Sequence, residues 1–238
     1  MKIIVCESYE ELSRKAADIF VKQLQNKPKS VLGLATGGTQ LGMYQELVDR
    51  YNAGEVDFSE AISFNLDEYC QIKQDHPQSY YTYMNENLFS KVKFKEFHLP
   101  KGDADDLNAA AVEYEKAIEA AGGIDLQYMG IGVNGHIGFN EPSDVYMLDS
   151  NLTELAEATI KANSRYFSEN EQQPTTALTM GMGTIFRAKS LVMLVSGKSK
   201  AEVAKKLFDD KIYTDIPATL LKLHNDFTVL IDKDAAEG

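Results

Sequence analysis

Tyr128-Met129-Gly130-Ile131-Gly132-Val133-Asn134-Gly135-His136-Ile137-Gly138-Phe139-Asn140-Glu141-Pro142 is an apolar run that ends in a glycine-rich loop carrying Asn, His and Glu. A run of this length and apolarity reads as a buried strand, and the residues after it as the loop at the strand's carboxyl end. Glycines let the backbone turn and approach a ligand closely, and a histidine set between glycines has no local apolar face to pack on. Two readings stay open on this stretch alone. One is a strand delivering acid-base groups to a pocket; the other is a tight turn whose polar side chains satisfy its own backbone.

Outward from this stretch, apolar runs of strand length alternate with segments of helical period. Lys2–Cys6, Ser30–Ala35, Ala61–Leu66, Leu126–Val133, Ser190–Val195 and Phe227–Ile231 read as strands. Tyr9–Leu24, Leu41–Tyr51, Ser79–Leu88, Leu107–Ala121 and Lys200–Phe208 read as helices; in the first, Leu12, Ala16, Ile19, Phe20 and Leu24 share one face. Parallel strands need crossover connections, and those crossovers cover the sheet. The expectation is an α/β fold: an open, largely parallel, doubly wound, Rossmann-like sheet with helices on both faces. Tyr146–Arg165 is the least sheet-like part. There Leu152, Leu155, Ala156 and Thr159 suggest a helix of mixed polarity, read as part of a lid within residues 146–175. No Pro/Gly/Ser-rich linker, repeat or low-complexity segment interrupts the chain, so residues 1–238 read as one domain, with Lys233–Gly238 as a frayed tail.

Composition narrows the function. The chain has 238 residues, 44% of them hydrophobic, enough for a sizeable core. A net charge of −12, with 24 Lys and Arg that are not concentrated in one run, argues against a nucleic-acid partner. No apolar run approaches the ~20 residues of a membrane span. The start, Met1 to Cys6, is too short for a signal peptide, and the expected location is cytoplasmic. Cys6 and Cys70 make no disulfide framework and read as reduced thiols. The four histidines are scattered, so no metal site is expected. No Gly-x-Ser-x-Gly elbow marks a hydrolytic serine.

Open parallel sheets bind ligands outside the carboxyl ends of their strands. Each chemically suggestive cluster here comes just after a predicted strand: Thr36-Gly37-Gly38-Thr39, Asp67-Glu68-Tyr69, Asn134-Gly135-His136 and Gly197-Lys198-Ser199-Lys200. Thr36 to Thr39 precede a helix, whose N-terminal N–H groups and dipole suit a phosphate; a turn-and-cap role is equally open on that segment alone. Lys200 begins a helix, where its charge opposes the dipole, so it and Arg165 are candidate anion partners. Burial at the end of its strand would raise the pKa of Asp67 toward that of a general base. Glu68 is the alternative, and strand alternation allows only one of the two to face the pocket. Together these clusters point to acid-base chemistry on a phosphorylated small molecule.

The same residues resemble a known family, the glucosamine-6-phosphate deaminases. The similarity runs through Leu32 to Thr39, Phe64 to Tyr69, His76 to Tyr81, Gly130 to Pro142, Ala162 to Phe167 and Ala177 to Thr184. It implies reversible conversion of D-glucosamine 6-phosphate and water to D-fructose 6-phosphate and ammonia in amino-sugar catabolism, with no metal or other cofactor. On that resemblance His136, oriented by Glu141 and assisted by Asn134, opens the sugar ring, and Asp67 moves the C2 proton. Thr36, Gly37, Gly38, Thr39, Arg165 and Lys200 would hold the phosphate. Many members carry Asp at the position of Asn134, and an amide orients but cannot serve as a base. Activated hexameric members carry basic residues where this chain has Asn151 and Thr153, and this chain ends earlier. The expectation is therefore a monomer or small homo-oligomer without activation by N-acetylglucosamine 6-phosphate. Two alternatives remain: a 6-phosphogluconolactonase-like hydrolase, whose family usually continues differently after the Gly-His pair, and a sugar-phosphate sensor without turnover.

Overall fold

The runs that read as apolar on both faces become the inner strands of a sheet. In the computed structural model, which describes residues 1–163, 167 and 173–238, the main sheet contains β1 (Lys2–Cys6), β2 (Val31–Leu34), β3 (Ile62–Asn65), β5 (Glu96–His98), β6 (Leu126–Met129), β9 (Ser190–Val195) and β10 (Phe227–Asp232). Their spatial order is β1-β10-β9-β6-β2-β3-β5, and every neighbouring pair is parallel. β2 and β6 are buried at every residue, as expected of strands covered on both faces.

Helices cover both faces, as expected. α1 (Tyr9–Asn26) and α2 (Leu41–Asn52) pack Leu12, Phe20, Met43 and Leu47 against Leu32, Leu34 and Tyr128 on one face. On the same face lies α3 (Tyr80–Met84), continued by a π-helical turn over Asn85–Phe89. α4 (Leu107–Ala120), α6 (Met182–Phe186) and α7 (Ala201–Phe208) bury Tyr114, Ile118, Ile185, Val203 and Leu207 against Met129, Met193 and Val229 on the other. Among the described residues no helix is long and apolar enough to cross a membrane.

From β2 the chain proceeds to β3 and β5 on one side, whereas β6 leads to β9 and β10 on the other. The winding reverses between β2 and β6, and a ligand crevice belongs outside their carboxyl ends.

A second sheet, not foreseen from the sequence, is built from β4 (Asp67–Tyr69), β7 (Asn151–Glu154) and β8 (Thr176–Thr179), antiparallel in the order β4-β8-β7. Leu66 joins the two sheets: its N–H donates to Leu34 O at 2.9 Å, and its carbonyl accepts from Met180 N–H at 2.8 Å. The expected helix across residues 146–165 is corrected accordingly. Leu152 packs beside Cys70 and Leu178 as β7, and only Glu157–Asn163 forms a helix, α5. The strand expected to reach Val133 stops at Met129, where its pairing with β9 ends. Nor is the tail frayed. Lys233–Glu237 forms α8, capped by Asp232 accepting from Ala235 N–H at 2.8 Å, with Ala235 buried.

Candidate active site

A cleft of about 450 Å³ opens where β2 and β6 end. One wall is Thr36 to Gln40. Gly37 has φ +109°, a conformation that favours glycine, and residues Gly38–Gln40 form a 3-10 turn leading into α2. The first N–H groups of such a start have no intrahelical partner and carry the positive end of the dipole. The loop's carbonyls are tied from outside: Tyr9 Oη donates to Gly38 O at 3.0 Å, and Tyr83 Oη donates to Gly37 O at 2.8 Å. Lys200 joins the lining from the facing loop, where Gly197 repeats the device with φ +87° and a 3-10 turn before α7. Lys200 is half-buried, and burial lowers its pKa. Arg165 lies outside the described residues.

Asp67 forms the second wall, held in β4 by pairing with Thr179 rather than at the end of the strand before it. It is buried, and among the described residues its carboxylate has no hydrogen-bonded partner. Burial first, and the neighbouring Glu68 carboxylate second, push it up to about 8. Such a carboxyl is a poor anion at rest and a strong base once ionised. Glu68 points away, as alternation requires, and its carboxylate accepts the N–H groups of Tyr69, Tyr80 and Tyr81, each at 2.9 Å.

His136 completes the set. Its Nδ1 lies 2.7 Å from Asn134 Oδ1 and 3.3 Å from Glu141 Oε2, and Asn134 Nδ2 donates to the same Glu141 oxygen at 2.7 Å. Placing the proton on Nδ1 satisfies all three groups and leaves Nε2 as the nitrogen free to act on a ligand. Thr159, from α5, donates to Glu141 Oε1 at 3.1 Å. Burial raises the Glu141 pKa, but the hydrogen bond and charge of His136, with Asn134 and Thr159, outweigh it and hold the carboxyl below its usual range. Glu141 is therefore the anionic end of an Asn-bridged relay.

Glycines permit this closeness. A Cβ on Gly132 would meet His136 Cε1 at 2.3 Å, so the ring lies directly over that backbone. Gly138, at φ +58°, brings the loop beside β4; a Cβ there would sit 2.9 Å from Thr179 Oγ1 and 3.1 Å from Asp67 Oδ2. Gly135, at φ +83°, accepts from Ala218 N–H at 2.9 Å.

Of the residues expected from the sequence, Thr36, Gly37, Gly38, Thr39, Asp67, Asn134, His136 and Lys200 line one cleft, and Glu141 stands behind His136. Tyr69, Tyr80, Phe139, Gln40 and Thr159 line it too and had been given no role in the site. Tyr69, Tyr80 and Phe139 lie within motifs that carried the resemblance, and Thr159 was read only as part of the lid segment.

Comparison with known proteins supplies context for this geometry. The family model for glucosamine-6-phosphate isomerases and 6-phosphogluconolactonase matches residues 7–230. A protein of a Thermoanaerobacter species named glucosamine-6-phosphate deaminase is 51% identical over 238 residues, 99% of this chain and 94% of the relative. A Clostridium botulinum protein of the same name is 48% identical, covering 99% and 98%. The solved structure of a monomeric glucosamine-6-phosphate deaminase superposes with a TM-score of 0.94 at 44% identity, covering 100% of this chain and 99% of the other. A Thermotoga maritima 6-phosphogluconolactonase shares the fold, with a TM-score of 0.77 at 21% identity over 98% of this chain and 99% of the other.

Proposed function

The chain belongs to the family of glucosamine-6-phosphate isomerases and 6-phosphogluconolactonases, and from that premise we propose how its cleft converts D-glucosamine 6-phosphate and water to D-fructose 6-phosphate and ammonia. The observation that carries the reading is the meeting of a buried carboxylic acid, Asp67, with the His136–Asn134–Glu141 relay across a cleft that begins at a glycine-rich helix start. Lactone hydrolysis has no use for a base at a sugar C2, and the near relatives named as deaminases are about half identical to this chain over almost its whole length.

The phosphate sits on the N–H groups and hydroxyls of Thr36 to Thr39, with Lys200 and Arg165 supplying charge. His136 Nε2 moves a proton from the C1 hydroxyl to the ring oxygen, the C1–O5 bond breaks, and a C1 aldehyde results. Glu141, through Asn134, holds the imidazole and stabilises the imidazolium that forms transiently. Asp67 then takes the C2 proton while the electron pair moves toward C1, and the C1 oxygen receives a proton given up by the substrate's C2 ammonium and passed on by His136, which leaves a neutral enolamine. Return of a proton to C1 leaves an imine at C2. Water adds to that carbon, the C–N bond breaks, and ammonia and the ketose are released. A positioned base of this kind contributes about 10²–10⁴-fold, with more from orientation by the phosphate grip.

The same reading takes residues 1–238 as one domain working in the cytoplasm, with residues 146–175 as a lid to which Thr159 belongs. It takes the working unit as a monomer or small homo-oligomer. A relative described as monomeric, at 44% identity, supports this. The test is release of ammonia and fructose 6-phosphate by purified protein in the presence of EDTA, with 6-phosphogluconolactone hydrolysis in parallel. One ammonia per fructose 6-phosphate is the expected result. Turnover of the lactone alone would move the site to the hydrolase class, and no turnover of either would make the chain a sensor.

A further inference from the structure

Glu68 stands next to the proposed base yet points away from the cleft, into the start of α3. Its two carboxylate oxygens accept three backbone N–H groups: Oε1 from Tyr69 and Tyr80, and Oε2 from Tyr81. Tyr80 and Tyr81 open α3, and Ser79 adds a side-chain cap by accepting from Thr82 N–H at 3.0 Å. Glu68 therefore fixes β4 and α3 to each other with a carboxylate that is itself buried. α3 carries two side chains that matter to the cleft. Tyr80 lines it beside Asp67, and Tyr83 Oη donates to Gly37 O at 2.8 Å, holding the carbonyl of the glycine-rich loop from outside. One covalent step separates Asp67 from Glu68, and one helical turn separates the Glu68 anchor from Tyr83.

We propose that Glu68 is a positioning residue: through α3 and the Tyr83–Gly37 hydrogen bond it sets the phosphate-binding loop in register with the base at Asp67. This rests on the reading of Thr36 to Thr39 as the phosphate grip. An amide at position 68 cannot reproduce the anchor, because its NH2 group would face a backbone N–H where the carboxylate has an acceptor. The loop then loses the Tyr83 tie and keeps only that of Tyr9, even though neither Glu68 nor Tyr83 is needed to touch the phosphate.

The test is a double-mutant cycle of Glu68→Gln and Tyr83→Phe, read as the Ki of inorganic phosphate against glucosamine 6-phosphate, with kcat followed in parallel. Removing one hydrogen bond from the loop is expected to raise the phosphate Ki about three- to tenfold in Tyr83→Phe. Glu68→Gln is expected to raise it at least as far and also to lower kcat, since Tyr80 and β4 lose their anchor. The double variant should bind phosphate no worse than Glu68→Gln alone. Additive losses, or a Ki unmoved in either variant, would overturn the proposal. Should Glu68→Gln fail to fold, Tyr83→Phe decides alone, a raised Ki supporting the link and an unmoved one refuting it. Absence of phosphate inhibition in the unaltered protein would fall on the phosphate site itself and take this proposal with it.

Discussion

In the proposed mechanism Asp67 is the base, and its surroundings withhold what a carboxylate ordinarily has. It is buried, lacks a hydrogen-bonded partner among the described residues, and adjoins a second carboxylate. Its pKa of about 8 in the fold compares with an ordinary 3.8. Between those values the folded chain keeps a proton that the unfolded chain has lost, so this group's contribution falls as pH rises through that window and stays lost above about 8. Asp67→Asn removes the penalty. Thermal denaturation at pH 8 should show the variant melting higher by at least ~2 °C, with the gap closing toward pH 4. In the unaltered enzyme, kcat/KM should rise with pH and level off above about 8, the acid limb reporting this carboxyl. A profile already flat from pH 6 would assign the base elsewhere. The sequence made Asp67 legible, since a carboxylate ending an apolar run is conspicuous. Pattern alone left Asp67 and Glu68 open and the resemblance assigned Asp67; the three N–H groups on Glu68 hold that carboxylate away from the cleft.

The loop after β6 works through its glycines. Gly132 has no room for a Cβ because the His136 ring occupies that space. Gly132→Ala should push the imidazole from its contacts with Asn134 and Glu141 and lower kcat/KM by about 10²-fold or more. The Ki of inorganic phosphate should not change, because Thr36 to Thr39 are untouched. Equal losses in both would mean that the loop is a scaffold rather than a holder for His136. α1 and α2 were readable because they repeat apolar residues at helical spacing, and β2, β6 and β9 because they sit in mostly apolar runs. β4, β5 and β7 were not, for Asp67-Glu68-Tyr69, Glu96–His98 and Asn151–Glu154 are short and largely polar, and β8 has only Ala177 and Leu178 between threonines. Such strands are defined by their partners, and the pairing of Asp67 with Thr179 joins residues far apart in sequence.

At the scale of the whole molecule, a reversal in strand order gathers residues from distant parts of the chain into one cleft. A relative described as monomeric supports a small assembly, and on the family resemblance Asn151 and Thr153 supply no cation for an activating phosphate. Light scattering across a concentration series should therefore give a monomer or small oligomer of constant specific activity, and N-acetylglucosamine 6-phosphate should not activate. A hyperbolic gain in rate with that compound would refute the second expectation. The proposed mechanism turns on C2 of the sugar, and the fate of its hydrogen tests it most directly. With glucosamine 6-phosphate deuterated at C2 and followed by NMR, the unaltered protein should break the C2–D bond, sending deuterium to C1 or to solvent as ammonia appears. Asp67→Asn should leave that bond intact while inorganic phosphate still binds with unchanged affinity. Cleavage of the C2–D bond by Asp67→Asn at the unaltered rate would contradict the account.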